Sequence, residues 1–243
     1  MSSPESLPVA LQFSQPPSNI RSDHAATLGW LKTSIAAIYL AARSPPTQDQ
    51  PPTLARSAYL HLYATAHEYT DSTKTARESP NSGDLYRFLW DQINAHCSEV
   101  RAHLSAAEHG EGIDGARRTI EDYLSHWHHF MLLAGLVANV LRSLDRTQIQ
   151  QMISEKRKDW YYIKELHKLV WKNEILQLDE GSAEGGTGAK LASAIAVLQK
   201  EPVDQIESDK DLVDRFLESL EALDRQLKAQ GRTLRVFNAK AYS

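Results

Sequence analysis

The sequence predicts an all-α protein. Apolar residues recur at spacings of three and four over long stretches, as on one face of a helix. Nowhere do β-branched and aromatic residues alternate over strand-length runs. Proline and glycine clusters separate the periodic stretches, which is how helices are stopped.

Pro and Ser dominate residues 2–19, and residues 1–22 are expected to form a disordered tail. From Asp23 the pattern turns helical, with Leu28, Leu31, Ile35, Ile38 and Tyr39 on one face. SPPTQDQPP (44–52) ends that helix, because proline cannot continue it and biases the preceding residue toward extended conformations. A second helix is expected from about Thr53 to Tyr69, followed by an exposed loop, STKTARESPNSG (72–83). Asp84 can cap a third helix, Leu85 to about Leu104, whose apolar face carries Leu85, Phe88, Leu89, Ile93 and Val100. Gly110, Gly112 and Gly115 break the chain before a long fourth helix, Ala116 to about Leu144. The fifth is expected over Ser154 to Gln177, and EGSAEGGTG (180–188) is a flexible insert. A short helix, Lys190 to Lys200, is closed by Pro202. Residues 209–229 form a strongly amphipathic helix with the stripe Leu212, Phe216, Leu220, Leu223 and Leu227.

Composition narrows the function. With 42 % apolar and 24 % charged residues, the 243-residue chain is ordinary for a globular protein with a real core. Its formal charge of -4, with both signs interspersed, argues against nucleic-acid binding. A single cysteine, Cys97, excludes an internal disulfide framework and fits a reducing compartment. The start, MSSPESLPVALQFSQPPSN, has no basic segment followed by an apolar run, so no signal peptide is expected. The most apolar stretch, 131–141, is far shorter than the roughly 20 residues of a membrane span. A cytosolic or nuclear protein is expected, with no membrane partner.

The stretch DYLSHWHHFM (122–131) carries His126, His128 and His129 around Trp127. On a helix His126 and His129 share a face, but His128 is rotated about 200° from His126 and cannot join them. The two-histidine i, i+4 spacing of a helical zinc protease, with Glu between, is absent. His103 and His109 can approach only if the preceding segment folds back, and nothing in the sequence fixes that. The histidines therefore read as solvated or partly packed bystanders, with no metal and no other cofactor expected. Trp127 has the stronger role, since Tyr123, Trp127, Phe130 and Ala134 lie on one side of the helix. Cys97 lies in no nucleophile motif, and EGGTG (184–188) lacks the Lys-Ser/Thr of a phosphate-binding loop. Acidic pairs such as Asp179–Glu180 and Glu121–Asp122 sit at helix edges, where carboxylates are commonly solvated. No catalytic constellation emerges, and an enzyme is not expected.

The second helix, SAYLHLYATAHEY (57–69), holds Tyr59, Leu62, Tyr63 and Ala66 at helical spacing, with Leu60, His67 and Tyr69 beside them. Tyrosines on two faces exceed what a core helix needs, because each buried phenol requires a hydrogen-bond partner. The helix is therefore either a core helix with tyrosines at its rim or one that offers aromatic anchors to a partner.

In these residues the chain resembles the cullins, the elongated helical scaffolds of multisubunit ubiquitin ligases. The second helix of their first repeat has a Tyr-Met-x-Leu-Tyr-like pattern followed by Tyr two turns on, which AYLHLYATAHEY resembles at Tyr59, Leu60, Leu62, Tyr63 and Tyr69. DLYRFLWDQINAHCSEVRAHL (84–104) is similar to the third helix, with its opening Leu-Tyr pair. DYLSHWHHFMLLAGLVANVLRSLDR (122–146) resembles the fourth at Tyr123, Trp127, Leu144, Asp145 and Arg146. RKDWYYIKELHKLVW (157–171) matches the fifth at Tyr161, Ile163, Leu166 and Trp171, and LGWLKTSIAAIY (28–39) fits the first. DLVDRFLESLEAL (211–223) takes the place of the first helix of a second repeat, and TLRVFNAKAYS (233–243) looks like the entry into the next.

The resemblance implies a five-helix cullin-type repeat over residues 23–200 and an incomplete second repeat over 201–243. It implies a non-catalytic scaffold that binds an adaptor of the Skp or BTB fold within ubiquitin-dependent protein degradation. In the family the first repeat grips the adaptor mainly with its second and fifth helices. Carried over, the adaptor-binding residues are Tyr59, Leu60, Leu62, Tyr63, Ala66, His67, Ser143 and Tyr161. Ala66 and His67 stand where many members have Val and Tyr, and Ser143 where members often place an adaptor-facing tyrosine. Burying one large apolar side chain is worth about 1.5–3 kcal/mol, so losing two anchors would weaken binding a hundredfold or more. The region that recruits a RING-finger subunit and carries the modified lysine has no counterpart here, so a RING partner is not expected, and a decoy role is one consequence. Two other readings stay open from the sequence, namely a degenerate remnant or incomplete gene product without a partner, and a helical metal-dependent enzyme.

Overall fold

Asp23 starts the first helix by accepting a hydrogen bond from the backbone N–H of Ala26, 2.9 Å away, which satisfies one of the unpaired amides of the opening turn. The computed structural model describes residues 10–43, 52–74, 83–176, 186–199 and 207–229. Along them run α1 (His24–Ala41), α2 (Arg56–Lys74), α3 (Asp84–Ala106), α4 (Gly112–Val140), the single turn α5 (Arg142–Leu144) and α6 (Gln150–Ser154). α7 (Ile163–Trp171), α8 (Thr187–Gln199) and α9 (Glu207–Ala229) follow. π-helical turns occupy Asp145–Ile149 and Lys172–Leu176. The described residues hold no sheet, only one isolated bridge between Leu11 and Leu54, and the protein is all-α.

The contacts divide the chain into two units, one of Met1–Gln92 with Leu132–Lys164 and one of Ile93–Met131 with Glu165–Ser243. In the first, α1 packs against α2 and α2 against α5, with Leu31, Ile35, Ile38 and Tyr39 of α1 buried. Residues 10–22, expected to be disordered, are tied down. Leu11 exchanges backbone hydrogen bonds with Thr53 and Ala55 at 2.8 and 3.0 Å, and the Trp30 indole N–H donates to the Ser14 carbonyl at 3.1 Å. Residues 1–9 of the expected tail lie outside the described residues.

The expected single helix over Ser154–Gln177 is not there. The chain leaves the helix at Glu155, and Lys156 and Asp159 take left-handed backbone angles of 55° and 66° in φ. Aromatic packing decides this against local helix propensity. The Trp160 ring stacks on Tyr86 at 4.3 Å, and the Tyr86 hydroxyl accepts from the Tyr161 N–H at 2.9 Å while donating to its carbonyl at 3.3 Å. Asp145 then satisfies the N–H of Ile163 at 2.9 Å, the first residue of α7. Because the Tyr86 hydroxyl serves both backbone groups in a buried site, Tyr86→Phe is expected to destabilise by about 1–3 kcal/mol in a denaturant titration, with the ring packing retained.

In the second unit, Tyr123, Trp127 and Phe130 of α4 are buried, as their shared face predicts, and surround Trp171 at 6.0, 5.5 and 4.7 Å between ring centres. Burial pushes the Tyr123 hydroxyl up to about 12, so it stays protonated. α4 begins at Gly112, one turn before the expected Ala116. Gly115 lies against the Gly110 carbonyl so closely that a Cβ there would collide with it, and Gly110 and Gly112 adopt φ of 80° and 83°. The EGSAEGGTG insert (180–188) lies outside the described residues up to residue 185, and its last two residues open α8.

α9 joins the second unit through Leu212, Phe216 and Leu223, with Phe216 at 5.2 Å from Tyr123. Leu220 of the predicted stripe is half-buried, and the side chain of Leu227 lies outside the described ones. The Arg117 guanidinium makes a two-pronged pair with Asp209 at 2.8 and 3.0 Å, which holds the Asp209 carboxyl below its ordinary range. A carboxyl held low in the folded state stabilises fully above the ordinary value of about 4 and loses that contribution as pH falls through its folded value. Protection of α9 amides from hydrogen exchange is therefore expected to fall in acid, and Asp209→Asn should produce the same loss at neutral pH.

Candidate functional site

The two sides of α2 differ in what covers them. Ala58, Leu62, Thr65, Ala66, Tyr69 and Thr70 are buried, at spacings of three and four that define the inward face. On the outward side Tyr59, Tyr63 and His67 succeed one another at intervals of one turn. Their rings are 6.4 and 6.5 Å apart, the two tyrosines nearly parallel at 8°. Tyr59 and Tyr63 are half-buried, His67 is exposed, and Leu60 beside them is 52 % exposed, against the usual burial of leucine. The result is an aromatic ladder with an aliphatic neighbour facing solvent on a helix anchored from behind.

The sequence-derived site residues therefore part into two groups. Tyr59, Tyr63 and His67, with Leu60 beside them, form the outward ladder. Leu62 and Ala66 are fully buried on the adjoining, inward face of the same helix. Ser143 is 7 % exposed in α5, which packs against α2, and its hydroxyl has no hydrogen-bond partner. Tyr161 is 3 % exposed, pinned by the Tyr86 hydroxyl with its ring edge toward Trp90 at 6.1 Å. Leu62 and Ala66 lie in the packing of α2, Ser143 in α5 against it, and Tyr161 in the packing of α3; none of them presents a side chain to solvent.

The three histidines of the α4 stretch do not gather with one another, as the sequence predicts. His128 points to solvent. His126 instead meets His103 of α3, with ring centres 5.0 Å apart, and Asp122 one turn earlier on α4. His109, in the α3–α4 connection, reaches the same carboxylate. Periodicity along one helix cannot reveal a cluster assembled from two elements. The i, i+4 pair Asp122 and His126 was the available signal. Cys97 is fully buried, and burial, with Glu174 adding to it, pushes its thiol well above the ordinary value, so it is a poor nucleophile.

An all-helical chain with a buried Tyr123–Trp127–Trp171 cluster and an Asp145 cap on α7 gives structural reasons for the residues that resemble the cullin pattern. The family model of the cullin alpha solenoid domain matches residues 30–240. The chain belongs to the cullin family. No curated protein and no solved structure matches it. The match runs past residue 200, so α9 falls within the cullin domain together with the earlier helices. As a cullin-domain chain it is a scaffold-type, non-catalytic module. No helix among the described residues is long and apolar enough to cross a membrane.

Proposed function

We propose that this cullin-domain chain binds a Skp- or BTB-fold adaptor of the ubiquitin system through the outer face of α2. The observation that carries the reading is the Tyr59–Tyr63–His67 ladder with Leu60 exposed beside it, on a chain of the cullin family. Tyrosine is enriched among the few residues that dominate binding energy at interfaces, and an exposed leucine at their side supplies apolar area to bury. Leu62, Ala66 and Ser143 act in this reading from behind, by holding α2 in position, and Tyr161 is core to the neighbouring α3. The chain would work in the cytosol or nucleus, where the degradation machinery acts, and a decoy role follows if it takes adaptor from other scaffolds.

The test is titration of purified Skp-type and BTB-type adaptors against the chain. Saturable one-to-one binding of either class supports the reading. Binding of neither would overturn it and favour the reading of a helical remnant without a partner. Added chain that lowers the amount of adaptor bound to another cullin would support the decoy role.

A further inference from the structure

Asp122 sits where two elements meet. On α4 it stands one turn before His126, so both side chains leave the same side of the helix. His103 comes from the last turn of α3, and His109 from the short connection that follows. The Nε2 atoms of His103, His109 and His126 lie 3.8, 3.3 and 3.6 Å from the carboxylate oxygens of Asp122.

These separations are too long for charge-assisted hydrogen bonds, which run at about 2.7–2.9 Å. They are instead near the spacing of ligand atoms around one ion. Four ligands at about 2.0–2.2 Å from a tetrahedral zinc stand roughly 3.3 Å from one another. The ligand atoms of His103, Asp122 and His126 all lie within 4.8 Å of each other. His126 adds a separate observation, because its Nε2 is buried without any hydrogen-bond partner, an arrangement that costs free energy unless something occupies the lone pair.

We propose that His103, Asp122 and His126 bind a divalent ion of the zinc class, which ties the end of α3 to α4. Imidazole nitrogens with one carboxylate suit zinc and its neighbours in the first transition row, whereas calcium and magnesium seek oxygen ligands. His109, whose Nε2 is 3.3 Å from the Asp122 carboxylate, is the candidate for the fourth position. It also lines an open cleft of about 650 Å³ with Gly110, Gly112 and Lys190, which leaves its ring room to turn toward the ion. His103 is half exposed, so an ion can enter from solvent. The role fits the segment it closes, since Gly110 in the α3–α4 connection and Gly112 at the start of α4 both hold positive φ.

Calorimetric titration of the full chain, free of any histidine tag, with Zn²⁺ at neutral pH tests this. One tightly bound ion per chain is expected, weakened at least tenfold in His103→Ala and in Asp122→Asn and unchanged in His128→Ala, whose imidazole is exposed outside the cluster. His103→Ala alters a half-exposed side chain, so the fold should survive it, and circular dichroism checks that. Co²⁺ in place of Zn²⁺ should give the intense visible bands of tetrahedral coordination in wild type and lose them in the same two variants. Zinc binding that His103→Ala and Asp122→Asn leave as tight as in wild type, or no stoichiometric binding at all, would overturn the proposal.

Discussion

Trp171→Ala should cost about 3–5 kcal/mol of stability, most of what a domain of ordinary stability has to lose. Trp171 is fully buried, and its ring touches those of Tyr123, Trp127 and Phe130, so one side chain joins α7 to three consecutive turns of α4. Its indole N–H also points to the Tyr123 hydroxyl at 3.4 Å. An indole buries on the order of 150–250 Å², and truncation to a methyl loses that transfer energy together with the contacts lining the cavity left behind. The π-helical turn Lys172–Leu176 starts at the next residue, and α8 packs on it, so the loss extends beyond the ring cluster. Urea titration followed by far-UV circular dichroism measures the effect without relying on the fluorescence of the tryptophan removed. Trp171→Phe keeps an aromatic ring in the site and should lose less than half as much. An unfolding midpoint equal to wild type in Trp171→Ala would mean that this cluster does not hold the second unit together.

That cluster was legible in the sequence because Tyr123, Trp127 and Phe130 repeat at helical spacing, and periodicity reports a shared face directly. The all-α class and the positions of α1, α3 and α9 rest on the same signal and lie within a few residues of expectation. The break at 155–162 was not legible. Its cause is Tyr86, distant in sequence, whose hydroxyl and ring claim the backbone of Tyr161 and the face of Trp160. Nor could residues 10–22 be read as ordered, since a Pro- and Ser-rich composition does not show that Leu11 will pair with the chain before α2. For the candidate site, spacing put Tyr59, Leu62, Tyr63 and Ala66 together, and which of them other helices cover depends on tertiary packing. Resemblance carried over all eight residues alike, and only the packing separates the four that reach the outer side of α2 from the four buried. The Asp122 cluster was not legible for a related reason, because His103 and His109 can join His126 only if the chain before α4 folds back, and no spacing within one helix fixes that or singles out the carboxylate.

Replacing Tyr59 and Leu60 together with alanine should weaken adaptor binding by about 2–4 kcal/mol, roughly 30- to 1,000-fold, while leaving the fold in place. The proposed interface would bury about 800 Å² on this chain, and a few anchors near its centre would carry most of the energy. Leu60 contributes almost nothing to the core, being 52 % exposed, and alanine is at least as good a helix former. Tyr59 is half-buried and stacked on Tyr63, so its loss removes one aromatic pair, worth about 0.5–1.5 kcal/mol at most. The double variant should therefore melt slightly below wild type with unchanged helicity. Leu62→Ala is the contrasting variant, since Leu62 is fully buried on the other face and its truncation should cost about 2–5 kcal/mol of stability. Parallel adaptor titrations and thermal melts of the three proteins separate the two effects. Adaptor bound equally well by wild type and by the Tyr59/Leu60 double variant would remove the outer face of α2 from the proposed function. A double variant that melts as early as Leu62→Ala would place these side chains in the core, where they serve the fold alone.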